Sequence, residues 1–246
     1  MTEDKSITQW FGVNLAELLA QKIAGVNKDF DAKAYISFIR NNCESLSYSK
    51  RVELHATAFK TYLPSSYPKA VALLMSILGE ENPYETGMFT QYYWVLPIAK
   101  FVELYGLEDF EISLHAIAEI TKRSTGEYAI RPYIRKHPKR TMAVMLEWSS
   151  SENFHLRRLA SEGCRPKLPW ATKLDVFVKD PQPVFAILHN LMQDEVKFVQ
   201  RSVANNIADY LKVNKPAATA FIKEYQNSTN THTQWILKHA TRKISV

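Results

Sequence analysis

Three carboxylates share a helical spacing with residues that hold phosphate. Arg158 and Glu162 are four apart and so share a helix face. Arg201, Asn205 and Asp209 carry that spacing through two turns, and Glu127, Arg131 and Arg135 repeat it, although Pro132 disturbs this last set. A lone Glu–Arg pair of this kind is ordinarily a surface ion pair worth about 0–1 kcal/mol. Three successive segments that each offer a carboxylate and an arginine call for another account. Arginines grip phosphates, and a carboxylate beside a polyanion weakens that grip. It must serve another purpose, such as stabilising developing positive charge or orienting water.

The elements that could position these residues read as helices. Val184, Ile187, Leu188, Leu191 and Met192 form the apolar stripe of a helix packed on one side, and Val199, Val203, Ile207 and Leu211 recur every four residues. Val71, Leu74, Met75 and Leu78 behave likewise, with Gly79 to stop them. Breakers fall between such segments at Pro64, Pro83, Pro138, Ser149-Ser150-Ser151, Pro181, Pro183 and Pro216. Alternating runs with hairpin signals are nearly absent, so the expected class is all-α. Phe154-x-x-Arg157-x-x-Ala160-x-Glu162 aligns with Phe198-x-x-Arg201-x-x-Ala204-x-Asn206 at an offset of 44, and Trp235 to Ala240 is a fainter copy 37 further on. Helix-pair repeats of the HEAT and armadillo kind have periods of about 40–47 residues. Their stacking into a solenoid makes a concave surface suited to a duplex.

Composition narrows the field. Seven glycines in 246 residues, the closest pair eight apart, permit neither G-x-G-x-x-G nor G-x-x-x-x-G-K-[ST], so no nucleotide cofactor is expected. Seven histidines and two cysteines show no metal-ligand spacing, and Cys43 and Cys164 are too few for a disulfide scaffold. A mean hydropathy of −0.25 and no apolar run near the roughly 20 residues of a membrane span argue against a membrane protein. Met-Thr-Glu-Asp-Lys does not open a signal peptide, and a reducing cytoplasm is the expected location. The net charge of +6 hides unlike halves: ten Lys and Arg oppose fifteen Asp and Glu over 1–120, and twenty-one oppose ten over 121–246. A field this lopsided attracts a polyanion, a phosphate backbone above all. With no long linker, residues 1–246 are expected to form a single domain, acidic helices over 1–120 followed by basic repeats over 121–246.

The stretch 156–171, Leu-Arg-Arg-Leu-Ala-Ser-Glu-Gly-Cys-Arg-Pro-Lys-Leu-Pro-Trp-Ala, resembles the signature of the AlkC branch of HEAT-like DNA alkylation-repair glycosylases. So does 200–209, Gln-Arg-Ser-Val-Ala-Asn-Asn-Ile-Ala-Asp. Glu-Tyr-Ala-Ile-Arg-Pro-Tyr-Ile at 127–134 and Trp235 to Ala240 agree in order and approximate spacing, and Phe30-Asp31, Arg51 to Leu54 and Leu63 to Pro68 are similar too. The resemblance implies a right-handed α-α superhelix of HEAT-like repeats with a concave basic face. It implies a monofunctional glycosylase that removes cationic N-methylated bases, chiefly 3-methyladenine and 3-methylcytosine, from duplex DNA. On that resemblance Glu127, Glu162 and Asp209 are the carboxylates of the reaction, and Trp170 is the aromatic contact near the lesion. Arg157, Arg158, Arg165, Arg201 and Lys238 would lie on the DNA-binding surface. Lys167 would contact phosphate, and Asn205 and Asn206 could face the same cleft as Asp209. Some family members carry an additional C-terminal immunoglobulin-like domain, which this chain, ending at Val246, is expected to lack. A monomer is expected.

The chemistry suits such residues. A base methylated at a ring nitrogen is already cationic and leaves without a general acid. As the N-glycosidic bond breaks, positive charge moves to the sugar in an oxocarbenium-like state. A preorganised carboxylate beside it can supply about 2.7–4 kcal/mol, and an aromatic ring adds about 0.5–2 kcal/mol of cation–π attraction to the charged base. Two other readings stay open on sequence: a non-catalytic HEAT-repeat protein that binds damaged or distorted DNA, and a scaffold whose concave face grips an acidic protein.

Overall fold

The computed structural model describes residues 6–87 and 89–242. The opening Met1–Lys5 and the C-terminal end at Val246, on which the leader and extra-domain expectations rest, lie outside the described residues. Every regular element among the described residues is helical, as expected. None of these helices is long and apolar enough to cross a membrane.

The chain forms two compact units, divided between Thr125 and Gly126 apart from a short excursion at 83–86. The boundary between these units falls five residues beyond the limit of the acidic segment. The first unit holds α1 (Ile7–Trp10), α2 (Val13–Val26), α3 (Ala32–Asn42), α4 (Tyr48–Tyr62), α5 (Tyr67–Ser76), α6 (Phe89–Tyr92), a 3-10 turn (Tyr93–Val95), α7 (Leu96–Tyr105) and α8 (Phe110–Thr121). Its core is rich in rings, with Phe11, Tyr35, Phe59 and Phe101 fully buried. Gly79, three residues past α5, takes the left-handed φ of 75° that stops the helix, and its carbonyl accepts from Arg123.

The second unit holds α9 (Arg131–Lys136), α10 (Pro138–Trp148), α11 (Phe154–Gly163), α12 (Asp175–Lys179), α13 (Gln182–Leu191), α14 (Lys197–Val213), α15 (Lys215–Tyr225) and α16 (Thr231–Thr241). Side-chain caps begin three of them: Asn153, Asn214 and Asn230 each accept from backbone amides of the first turn. Prolines 132, 138, 183 and 216 all fall in first turns, where no intrahelical amide bond is lost. Pro132 therefore starts α9 instead of disturbing it. Glu127 lies in the turn before α9, so it does not share a helix face with Arg131 and Arg135.

The repeat offsets appear here as packing. α11 packs on α14, and α14 on α16, while α10 and α13 lie behind α11. The Val199/Val203/Ile207 stripe of α14 is buried. Phe154 and Phe198 stand at the starts of α11 and α14, and Trp235 stands in the second turn of α16, the third helix of that row. The Arg158 guanidinium lies 4.9 Å from the Phe198 ring centre, and Lys197 Nζ lies 3.4 Å from that of Trp235.

Candidate active site

The facing sides of α11 and α14, together with the turn before α9, bring the three carboxylates into one alternating chain of charges. Glu127 Oε2 receives Arg158 Nη1 at 2.6 Å, and Arg158 Nη2 stands 3.7 Å from Glu162 Oε1. That same oxygen accepts from Arg165 Nη1 at 2.6 Å, and Arg165 Nε donates to Asp209 Oδ2 at 2.8 Å. Three acids and two guanidiniums alternate, which leaves one formal negative charge. The pair Arg165–Asp209 is separated by 44 residues, the repeat offset itself, so equivalent positions of stacked repeats meet here.

The three carboxylates are not equivalent. Glu162 is 6% exposed, and its second oxygen accepts from Ser202 Oγ at 2.6 Å. Burial pushes its carboxyl up, but Arg158, Arg165 and the Ser202 hydroxyl outweigh burial and hold it below the ordinary carboxylate range. At Asp209 burial prevails over the bond and charge of Arg165, and its carboxyl sits above the ordinary range. Its Oδ1 has no hydrogen-bond partner among the described residues. Asp209 also lines a small cavity of about 90 Å³ together with Arg165, Asn205, Ala208, Lys212, Ala240 and Arg242. Glu162 does not line it. Lys212 and Arg242, both exposed, bring positive charge to that cavity; only position, on α14 and just past α16, ties them to the site, and the motif blocks do not contain them.

The expected DNA-contacting residues divide into three groups. Lys167, Arg201 and Lys238 are exposed, and Asn205 lines the cavity. Arg157, Arg158 and Arg165 are engaged within the fold. Arg157 holds Asp194 at 2.6 Å and donates to the carbonyls of Ser151 and Glu152, tying the α11 and α14 N-terminal turns together. Arg158 and Arg165 are the cations of the carboxylate chain, with side chains 16% and 9% exposed. Asn206 is a correction: fully buried, it reaches no surface. Its Nδ2 donates to Ser161 O and approaches Cys164 Sγ, stitching α14 to the end of α11. The neighbouring Cys164 thiol, pushed up to about 12 chiefly by burial, stays protonated and inert.

Trp170 stands apart from all of these. It is 97% exposed, and its φ of 58° makes it the one non-glycine residue with a left-handed backbone among those described. Such a conformation costs about 1–2 kcal/mol. It stands on the loop between α11 and α12. Ser202 and Asp194 escaped the sequence reading; Ser202 is Arg158 displaced by the repeat offset of 44, which was the available signal.

Residues 108–244, more than half of the chain, match the family model of the DNA alkylation repair enzymes. The chain belongs to that family, and the resemblance drawn from 156–171 and 200–209 holds. It is 34% identical over 232 residues to YhaZ of Bacillus subtilis (strain 168), an uncharacterized protein, covering 93% of this chain and 62% of that one. Its fold is similar, with a TM-score of 0.88 and 32% identity, to the Pseudomonas fluorescens alkylpurine DNA glycosylase AlkC bound to DNA containing an abasic site analog, over 97% of this chain and 64% of the other. The chain thus spans just under two thirds of the length of both relatives.

Proposed function

We propose that the chain is a DNA glycosylase that hydrolyses the N-glycosidic bond of cationic N-methylated bases, 3-methyladenine and 3-methylcytosine, in alkylated duplex DNA, acting as a monomer. Asp209 carries this reading: a buried carboxylate with one oxygen unpaired among the described residues, at a cavity whose lining is basic. Arg242 and Lys212 would hold the phosphates on either side of a damaged nucleotide. Asp209 Oδ1 would then face the sugar, where it stabilises the oxocarbenium-like transition state and accepts a hydrogen bond from the attacking water. Its other oxygen is fixed by Arg165, so the group needs no reorganisation as charge develops.

Glu162 and Glu127 act one step back. Glu162 aims Arg165, and Glu127 with Glu162 fixes Arg158, so their charges keep the two guanidiniums from cancelling the field of Asp209. Arg201, Lys238 and Lys167 lie exposed and suit the phosphate backbone. Trp170 supplies a ring face for the cationic base.

Base release from methylated duplex DNA, resolved into 3-methyladenine, 3-methylcytosine and 7-methylguanine, tests the proposal. Release of the 3-methyl bases well above the spontaneous rate is expected. A folded protein that binds DNA but releases none would overturn it and leave a damage-recognition protein.

A further inference from the structure

Arg131 is the largest of the fully buried side chains, and among the described residues no carboxylate faces it. The bonds its guanidinium makes all go to backbone carbonyls. Nη1 donates to Gly163 O and Arg165 O, each at 3.0 Å, and Nη2 donates to Thr172 O at 2.7 Å. Nε is buried without a partner. From the exposed side Arg135 donates to the same Thr172 carbonyl at 2.9 Å and to the Thr172 hydroxyl. Tyr128 Oη donates to Pro169 O at 3.3 Å. Burying an arginine without a counter-ion is costly, and ending a helix does not require it.

Apart from the bond to Gly163 O, these bonds converge on the loop that carries Trp170. They tether residues 165, 169 and 172, while Leu168 and Leu174 are buried beside them. Between the tethers Trp170 projects into solvent in a left-handed conformation. A large apolar ring left to itself folds back onto the surface, and strain of this kind persists only where its surroundings over-determine it.

We propose that Arg131, assisted by Arg135 and Tyr128, is a positioning device that holds the 165–172 loop so that Trp170 is presented to DNA already in its binding conformation. This rests on reading Trp170 as the aromatic contact to the lesion. The same guanidinium meets the C-terminal carbonyl of α11, one residue past Glu162, so the ring and the carboxylate chain share one anchor.

Incorporation of 5-fluorotryptophan gives each tryptophan its own fluorine resonance, and that of Trp170 is identified by its loss in Trp170→Phe. In Arg135→Gln, which changes an exposed residue and spares the core, the Trp170 resonance is expected to shift and broaden while those of Trp10, Trp94, Trp148 and Trp235 stay in place. Arg131→Lys, if folded, should do so more strongly. Arg135→Gln is also expected to weaken binding to duplex DNA with an abasic-site analogue about tenfold, the cost of ordering one or two loop residues on binding. That loss should vanish when Trp170 is already alanine, because two residues acting through one ring are not additive. An unmoved Trp170 resonance, or an equal loss in the Trp170→Ala background, would overturn the proposal. Neither readout needs base release, so an inactive wild type would defeat the glycosylase reading and leave this test intact.

Discussion

Asp209→Asn and Glu162→Gln, compared side by side, separate chemistry from architecture. Asp209→Asn keeps shape and leaves an amide oxygen able to accept from Arg165 Nε, which stays anchored by Glu162 at 2.6 Å. Its stability cost should be on the order of 1 kcal/mol, one weakened hydrogen bond, because burial already disfavours the Asp209 charge whereas the Glu162 charge is favoured by its surroundings. The rate should suffer far more. Losing one preorganised electrostatic stabiliser costs about 2.7–4 kcal/mol, a fall of about 10²–10³-fold in the rate of base release. Glu162→Gln inverts the pattern. The amide oxygen can still accept from Arg165 and its NH2 group can face a Ser202 hydroxyl turned to accept, but the charge that balances Arg165 and Arg158 is gone. Removing one partner of a buried ion pair costs about 3–5 kcal/mol, so the urea midpoint should fall sharply before any kinetic effect is read. The assay is single-turnover release of 3-methyladenine with protein in excess, alongside urea unfolding of each variant. A folded Asp209→Asn that keeps its rate within threefold of wild type would refute the assignment of Asp209. A Glu162→Gln protein as stable as wild type would refute the account of the charge chain.

Other consequences follow from single contacts. A Cβ on Gly163 would stand 2.7 Å from Ile130 Cγ2 and 3.2 Å from Met145 Cε, so Gly163→Ala should destabilise the protein by about 1–3 kcal/mol through overpacking, readable in the urea midpoint. His55 is buried between the Tyr35 hydroxyl and the Phe11 carbonyl, and burial lowers its pKa to about 4 from an unfolded value of 6.5. The unfolded chain therefore takes up a proton below pH 6.5 while the folded one does not until about pH 4. Stability should decline by about 2 kcal/mol between pH 7 and 5, and a His55→Gln variant with an equally steep decline would exclude this cause. Arg201→Gln and Lys238→Gln each remove one exposed charge from the proposed DNA face. Each should weaken duplex binding on all sequences alike and reduce the slope of log K against log salt by about 1, as measured by titration at several salt concentrations.

What the sequence determined by itself was what local spacing can express. Apolar positions every three to four residues specify helices, prolines and asparagines mark their starts, and an offset of 44 in α11 and α14 records that these helices occupy equivalent places in a stacked row. The 156–171 and 200–209 blocks carried the family, because residues in one motif are fixed together. The 3.7 Å contact of Arg158 with Glu162 was legible for the same reason, since four residues are one helical turn. Partners 32 to 45 residues apart were not. Whether Arg165 meets phosphate or Asp209, and whether Asn206 faces a cleft or the carbonyl of Ser161, depends on which side of each helix is buried when α11 meets α14. Arg131 shows the same limit most plainly. By composition it is one more cation in a basic segment, yet packing turns it inward, where burial obliges every donor it can satisfy to find an acceptor, and the acceptors within reach are backbone carbonyls that only the folded chain assembles.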